Sequence, residues 1–229
     1  DTTEHKLQVM RDVFEEPTKQ AEERIATIVR GLEHRFPKPT VYLSNASFTG
    51  GTYRIRSPGH YKITEDIVFD PPALEQPNRL YPFPPYQLGF FACITVESEG
   101  VILDLGGHSI SQSPRHALLQ RFHALIELSS QPFDHNIGPS GFGNNNKSAH
   151  NCLVRNGYLG RSSHHGIHSS GSPTNVVIQD ISMHDFEIAG VHLNGAHNCH
   201  LQRLHVGPNF KQVPVMATFS QAIFALSFL

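Results

Sequence analysis

A short repeat constrains the fold of this 229-residue chain more than any other feature. Residues 166–171, with the sequence GIHSSG, return as GVHLNG at residues 190–195, which lie 24 residues later. Asn151, Asn175 and Asn198 precede apolar runs and are spaced by 24 and then 23 residues. Short strands and turns that recur at this period are typical of stacked supersecondary units.

Each unit contains three strand-like runs, which in the last complete unit are residues 191–193, 199–201 and 204–206. A unit of about 24 residues has no room for a crossover helix, so each strand must pair with its equivalent one coil later. Similar short runs occur earlier, at residues 41–43, 53–55, 61–63, 67–69, 94–96, 101–103 and 125–128. We therefore predict an all-β fold, a parallel β-helix with three short strands per coil.

The first 36 residues predict helices instead of strands. Pro17 suits a first helical turn, and an apolar stripe at helical spacing follows it, formed by Ala21, Ile25, Ile28, Val29 and Leu32. We expect residues 1–40 to form a helical cap over the end of the coil and residues 41–229 to form the β-helix. Pro-, Gly- and Asn-rich stretches predict inserted loops at about residues 70–90, 112–122, 131–149 and 208–219.

Two segments carry a resemblance to a known family. Residues 99–110, EGVILDLGGHSI, resemble the opening coil of pectate-lyase-like right-handed β-helix proteins, and residues 58–67, PGHYKITEDI, resemble the segment that often precedes it. The resemblance covers about residues 50–210 and implies a right-handed parallel β-helix. It selects no activity, because this superfamily includes lyases, hydrolases, epimerases, adhesins and viral surface proteins.

Composition excludes several classes of function. The net charge of −2 provides no uniform basic field for nucleic acid. Three cysteines without a CxxC pair make neither a disulfide framework nor a cysteine-based zinc site. No apolar stretch approaches the roughly 20 residues that cross a bilayer. The sequons at Asn45 and Asn146 permit a secreted history, and 16 histidines suggest sensitivity to pH.

Alternation along the repeated strands assigns an outward row of polar residues. Ile94, Ile126, Ile167 and Val191 should point inward, and their successors Thr95, Glu127, His168 and His192 should point outward. Glu127, His168 and His192 would then form a ladder that can hold a divalent metal. The same ladder can supply acid–base groups to a polysaccharide. It can equally be a solvated polar row that requires no cofactor.

Two further outward rows contain candidate catalytic residues. In the row Asp104, Arg155, Gln179 and Gln202, the first two residues form a salt bridge, or Arg155 neutralises a uronate carboxylate. The row Tyr158, Ser182 and His205 lies near His184 and Asp185, and also near Arg161, His164 and His165. His–Asp neighbours with Arg and Tyr resemble the residues used by alginate lyases and epimerases of this fold, although the epimerase acidic–Pro–His motif is missing. The candidate catalytic set is His184, Asp185, His168, His192, Arg155 and Tyr158.

Other repeated positions are interpreted as structural. Asn151, Asn175 and Asn198 should form a turn ladder in which Gly100 replaces asparagine in an earlier coil. Cys152 and Cys199 should be core residues.

The leading functional interpretation is an extracellular or virion-surface β-helix that serves as a structural or glycan-binding module, because no catalytic motif is complete. The alternative is a polysaccharide lyase or C5-epimerase acting on a uronate polymer. A metal-dependent or pH-sensing role of Glu127, His168 and His192 is a third option. Residues 222–229 are apolar and lack a polar cap, so we expect other subunits or a continuing chain to cover them. The expected partner is a polysaccharide or glycan.

Overall fold

The computed structural model describes residues 2–10, 16–35, 40–70, 90–119, 122–130 and 147–207. Its helices are α1 (Thr2–Met10), α2 (Glu16–Arg35) and α3 (Pro114–Leu119). Its strands are β1 (Thr40–Leu43), β2 (Tyr53–Ile55), β3 (Gly59–Ile63), β4 (Ile67–Phe69), β5 (Phe90–Val96), β6 (Val101–Asp104), β7 (Ser109–Gln112), β8 (Phe122–Glu127), β9 (His150–Leu159), β10 (His165–Ser169), β11 (Thr174–Met183), β12 (Ala189–Leu193) and β13 (His200–Val206).

The strands form two parallel sheets in which each strand pairs with its equivalent in the next coil. One sheet has the order β2-β5-β8-β10-β12, and the larger one has the order β1-β3-β6-β9-β11-β13, with β4 and β7 paired beside it. Ile126 pairs with Ile94 on one side and Ile167 on the other, as the repeat requires. The stacked parallel coil predicted from the repeat is therefore confirmed.

The corners of the coil depend on residues that tolerate a left-handed backbone. Asn151, Asn175 and Asn198 have φ angles of 51°, 54° and 52°, and Gly100 has 67°. Asparagine and glycine are the residues that adopt this region at least cost. The amide of Asn175 also donates to Asn151 Oδ1 at 3.0 Å, and that of Asn198 donates to Asn175 Oδ1 at 2.5 Å. The predicted asparagine ladder is confirmed.

The number of strands per coil differs from the prediction. Three separate strands occur in the coil that contains β5, β6 and β7. In the following coils the second and third runs join into the ten-residue strands β9 and β11. The corner between the runs is Asn156 in β9 and Asp180 in β11, with φ angles of 64° and 56°. In each strand, one residue with a left-handed backbone conformation turns the chain, and the pairing with the neighbouring strands continues on both sides of it.

Helix α2 lies against the side of the coil. Ile25 and Leu32 are buried against Ile102, Leu153 and Val177, which are stacked on β6, β9 and β11. The predicted apolar stripe is thus the packing face, although Ala21 at its start is exposed. The prediction that the helices cover the end of the coil is corrected for α2, because its apolar stripe packs against apolar side chains from three stacked strands.

The predicted insertions are only partly described. The segment 112–122 contains α3. Most of 70–90 and 131–149, all of 208–219 and the apolar segment 222–229 lie outside the described residues. No helix in the described parts of the chain is both long enough and apolar enough to span a bilayer.

Candidate functional site

The outward row of the smaller sheet has the predicted register. Glu127 pairs with Thr95 in the preceding coil and with His168 in the following one, and His168 pairs with His192. Thr95, Glu127 and His168 are nevertheless buried, with 0%, 1% and 6% exposure. Only His192 is exposed among these four residues. The interpretation of the row as solvated is therefore wrong for its first three members.

The carboxylate of Glu127 accepts hydrogen bonds from several directions. His168 Nδ1 lies 2.6 Å from Oε2. Ser129 Oγ donates to Oε1 at 2.6 Å, and the backbone N–H of Ser170 donates to the same oxygen at 3.0 Å. These bonds offset the cost of burying the carboxylate and hold the His168 ring in one orientation. Glu127 therefore lies against Nδ1 of His168, on the opposite side of the ring from Nε2.

A residue outside the predicted ladder completes a histidine cluster. His165, buried at the start of β10, stacks on His168 with ring centroids 4.7 Å apart, and its Nε2 lies 3.3 Å from His192 Nδ1. His164 Nδ1 lies 2.6 Å from His165 Nδ1. One nitrogen each from His165, His168 and His192 falls within 4.8 Å of the others, a spacing at which the three rings could hold a metal ion. We call these three residues the histidine cluster.

The electrostatic environment keeps the centre of this cluster neutral. Burial, and then the neighbouring imidazoles of His164, His168 and His192, lower the pKa of His165 to about 3. A neutral imidazole retains a lone pair on one ring nitrogen. It can therefore bind a metal at neutral pH.

An ion pair occupies the other end of the same outward row. Arg54 pairs with Thr95 in the ladder. Its guanidinium contacts both carboxylate oxygens of buried Glu97, at 2.5 and 2.6 Å, and Thr95 Oγ1 donates to Oε1 at 2.6 Å. This bidentate pair is consistent with a structural role, because it satisfies the buried charge internally.

A second candidate site lies in an open pocket of about 360 Å3 on the larger sheet. Its walls come from three successive coils, and the lining residues are Ser109, Ser111, Tyr158, Gly160, Arg161, His184 and Asp185. Tyr158 is 49% exposed. Arg161 Nε lies 3.6 Å from Asp185 Oδ2. We call this the tyrosine pocket.

The structure divides the predicted catalytic set among three places. Tyr158, His184 and Asp185 meet in the tyrosine pocket, whereas His168 and His192 belong to the histidine cluster on the other sheet. Arg155 is in neither place.

Arg155 is held by two carboxylates beneath α2. Its guanidinium donates to Asp104 Oδ2 at 2.9 Å and to Glu33 Oε1 at 2.7 Å. Burial disfavours charge on both Arg155 and Asp104, but their mutual hydrogen bonding and other contacts outweigh it. As a result, the pKa of Asp104 is lowered and that of Arg155 is raised. The predicted salt bridge is therefore present, and it has an additional partner in the helix.

Sequence reasoning placed His165 near His184 and Asp185 and thereby missed its place in the histidine cluster. A signal was available: the residues in register with His165 are Ala124 and Ala189. Small side chains on both neighbouring strands leave room for an imidazole to lean toward His168 and His192. The buried pair of Arg54 and Glu97 was also missed, because their stretch has no repeat signature.

No family profile matches this chain, and no curated protein matches it. Among solved structures, a 1,3-alpha-1,4-beta-D-galactose-4-sulfate-3,6-anhydro-D-galactose-2-sulfate 4 galactohydrolase is similar, with 13% identity and a TM-score of 0.42. The match covers 84% of this chain and 43% of that chain. This chain therefore spans less than half the length of the galactohydrolase.

Proposed function

We propose that the protein is a right-handed parallel β-helix of the pectate-lyase-like type that binds a glycan on the outside of its coil. The observation that carries this proposal is the tyrosine pocket, which joins an exposed aromatic ring to a cation, a carboxylate and hydroxyl groups. We further propose that the protein acts at an extracellular or virion surface, as a structural or glycan-binding module.

The chemistry of the pocket suits a sugar chain. Tyr158 is half exposed, so its apolar ring face can pack against a sugar while its hydroxyl remains able to form a hydrogen bond. Arg161 and Asp185 form a loose pair at 3.6 Å in the pocket wall, with side chains 39% and 18% exposed, and a ligand in the pocket could contact both. Ser109 and Ser111 add hydroxyl groups from the preceding coil. A few fixed polar groups around an apolar surface are the usual elements of a specific small-ligand site.

Glycan binding can be tested with a glycan array, followed by titration of the best ligand into the full chain. Tyr158→Ala should weaken binding by at least about tenfold, because it removes the largest contact surface in the pocket. The matched control is Tyr42→Ala, since Tyr42 is 67% exposed and does not line the pocket. Equal affinity of the Tyr158 and Tyr42 variants for every bound glycan would refute the proposed site.

A second candidate function is lyase or C5-epimerase action on a uronate polymer. It is favoured by one observation, namely that His184 lies beside Tyr158 and Arg161 in the same pocket. Arg161 would neutralise the uronate carboxylate and His184 would take the C5 proton. In a lyase, the bond from C4 to the glycosidic oxygen would then break, and Tyr158 would protonate the departing oxygen.

Lyase action is measured by the ultraviolet absorbance of the unsaturated uronate that elimination creates. Alginate and pectin are the polymers to test, and epimerisation is followed by loss of the C5 proton into deuterated water. We expect His184→Ala to abolish either activity, while His34→Ala, an exposed variant on α2, retains it. If wild-type protein is silent on both polymers yet binds glycans, the binding function stands alone.

The proposed assembly has a separate basis. It rests on the apolar segment 222–229, which we propose another subunit covers. Sedimentation of the 229-residue chain tests it, because a chain that stays monomeric at high concentration needs no such cover.

A further inference from the structure

The histidine cluster brings three potential ligands together across two coils. His165 and His168 lie on β10, and His192 lies on the neighbouring strand β12. Two nitrogens bound to one tetrahedral zinc ion are roughly 3.3 Å apart when the Zn–N bonds are about 2.0 Å. The separation of His165 Nε2 and His192 Nδ1 is 3.3 Å. The cluster needs only a small closing movement of its side chains, because all three ligand atoms lie within 4.8 Å of one another.

Glu127 supplies the outer partner that a zinc-binding histidine usually has. Its Oε2 lies 2.6 Å from His168 Nδ1. A carboxylate on one ring nitrogen fixes the tautomer and makes the other nitrogen a better donor to a metal. Because Ser129 and Ser170 hold the carboxylate from its far side, it can orient His168 without joining the metal.

Two of the three histidines are buried and one is exposed, so the site is both rigid and accessible to an ion. His165 and His168 are 2% and 6% exposed, which limits the movement of their rings. His192 is exposed, so an ion can reach the cluster from solvent. Three imidazoles and a nearby carboxylate suit Zn2+ better than Mg2+ or Ca2+, which prefer oxygen ligands.

We propose that His165, His168 and His192 bind one Zn2+ ion, with Glu127 as the orienting partner of His168 and the fourth position open to water or a ligand. The site differs from the ladder expected from sequence, because His165 takes the ligand position that was assigned to Glu127. It is independent of the proposed glycan pocket, which shares no residue with it.

The experiment titrates ZnCl2 into the metal-free full chain, purified without a polyhistidine tag, and follows heat and stoichiometry. Wild-type protein should bind one Zn2+ per chain. A 100-fold excess over the dissociation constant should raise Tm by roughly 5 to 10 °C. Co2+ should give the intense visible bands of a tetrahedral ion.

Three variants distinguish specific Zn2+ binding by the histidine cluster from weak binding by other surface histidines. His192→Ala removes an exposed ligand and should weaken Zn2+ binding at least about tenfold without unfolding the chain. Glu127→Gln should weaken it by about 10- to 100-fold, because it removes the charged outer partner. His205→Ala, which removes an exposed histidine from the same coil as His192, should bind Zn2+ like wild type.

Several results would overturn the site. They are the absence of stoichiometric Zn2+ binding, equal affinity in the wild type and the His192 variant, or a Co2+ complex that keeps an octahedral spectrum. No glycan is present in these titrations, so failure of the glycan proposal would leave a positive zinc result unchanged. Conversely, glycan binding by the His192 variant would show that the two sites act separately.

Discussion

The buried side chain of His116 in α3 should make the fold sensitive to acid. Gln112 Oε1 accepts the backbone N–H of Ser163 at 2.6 Å, so the amide nitrogen of Gln112 faces His116 Nδ1, at 3.1 Å. An amide nitrogen can only donate, and Nδ1 must therefore accept without a proton. The rings of Phe69 and His123 pack against His116, each with centroids 5.2 Å away. Burial lowers the pKa of His116 to about 3.

The pKa difference sets the direction and size of the effect. The unfolded imidazole has a pKa near 6.5, so below this pH the unfolded chain takes up a proton that the folded chain refuses. Stability from His116 is complete above pH 6.5 and is lost progressively between about pH 6.5 and 3. Moving from pH 7.5 to 4.5 should remove roughly 2 to 3 kcal/mol through this group alone. Burial also lowers the pKa of His123. This histidine therefore lowers the free energy of unfolding in acid as well.

Urea unfolding at pH 7.5 and 4.5 tests this reasoning in wild type, His116→Asn and His34→Asn. Asparagine keeps an acceptor near the Nδ1 position but has no imidazole to protonate. The His116 variant should lose less stability than wild type between the two pH values, by roughly 2 to 3 kcal/mol. The His34 variant, whose altered side chain is exposed on α2, should lose as much as wild type. Equal losses in wild type and His116→Asn would show that this histidine does not oppose protonation in the fold.

Three further predictions concern the coil itself and a fourth concerns helix α2, and urea unfolding at pH 7.5 measures each of them. Asn175→Ala should destabilise the protein by about 1 to 2 kcal/mol, because it loses the ladder hydrogen bonds and places alanine at a φ of 54°. Asn175→Gly loses the same hydrogen bonds but should cost less, because glycine tolerates this φ. Arg54→Ala should cost roughly 3 to 5 kcal/mol, since it leaves the carboxylate of Glu97 buried without its cation. Gly157→Ala should destabilise by about 1 to 3 kcal/mol, because the added Cβ would overlap a buried leucine. Gly31→Ala, in open space on α2, should stabilise by about 0.5 to 1 kcal/mol. A destabilised Gly31 variant, or unchanged stability in any of the others, would contradict the packing described above.

Periodic features of this protein could be read from its sequence. The spacing of Asn151, Asn175 and Asn198 gave the length of the coil, and that length fixed which strands pair. Alternation then assigned Ile126 to the inward row correctly, because its side chain is buried in the apolar core. Such properties are local or repeat at a fixed interval, so they need no knowledge of distant contacts.

Contacts between non-equivalent positions were decided only by the tertiary structure. The sequence assigned Glu127 and His168 to an outward row but did not indicate that Ser129, Ser170 and His165 would surround them. It likewise predicted the apolar stripe of α2 but placed the helix over the wrong part of the coil. Alternation specifies which side of a strand a residue occupies. Burial depends in addition on which side chains of neighbouring coils and helices lean over it, and that is settled by packing in three dimensions.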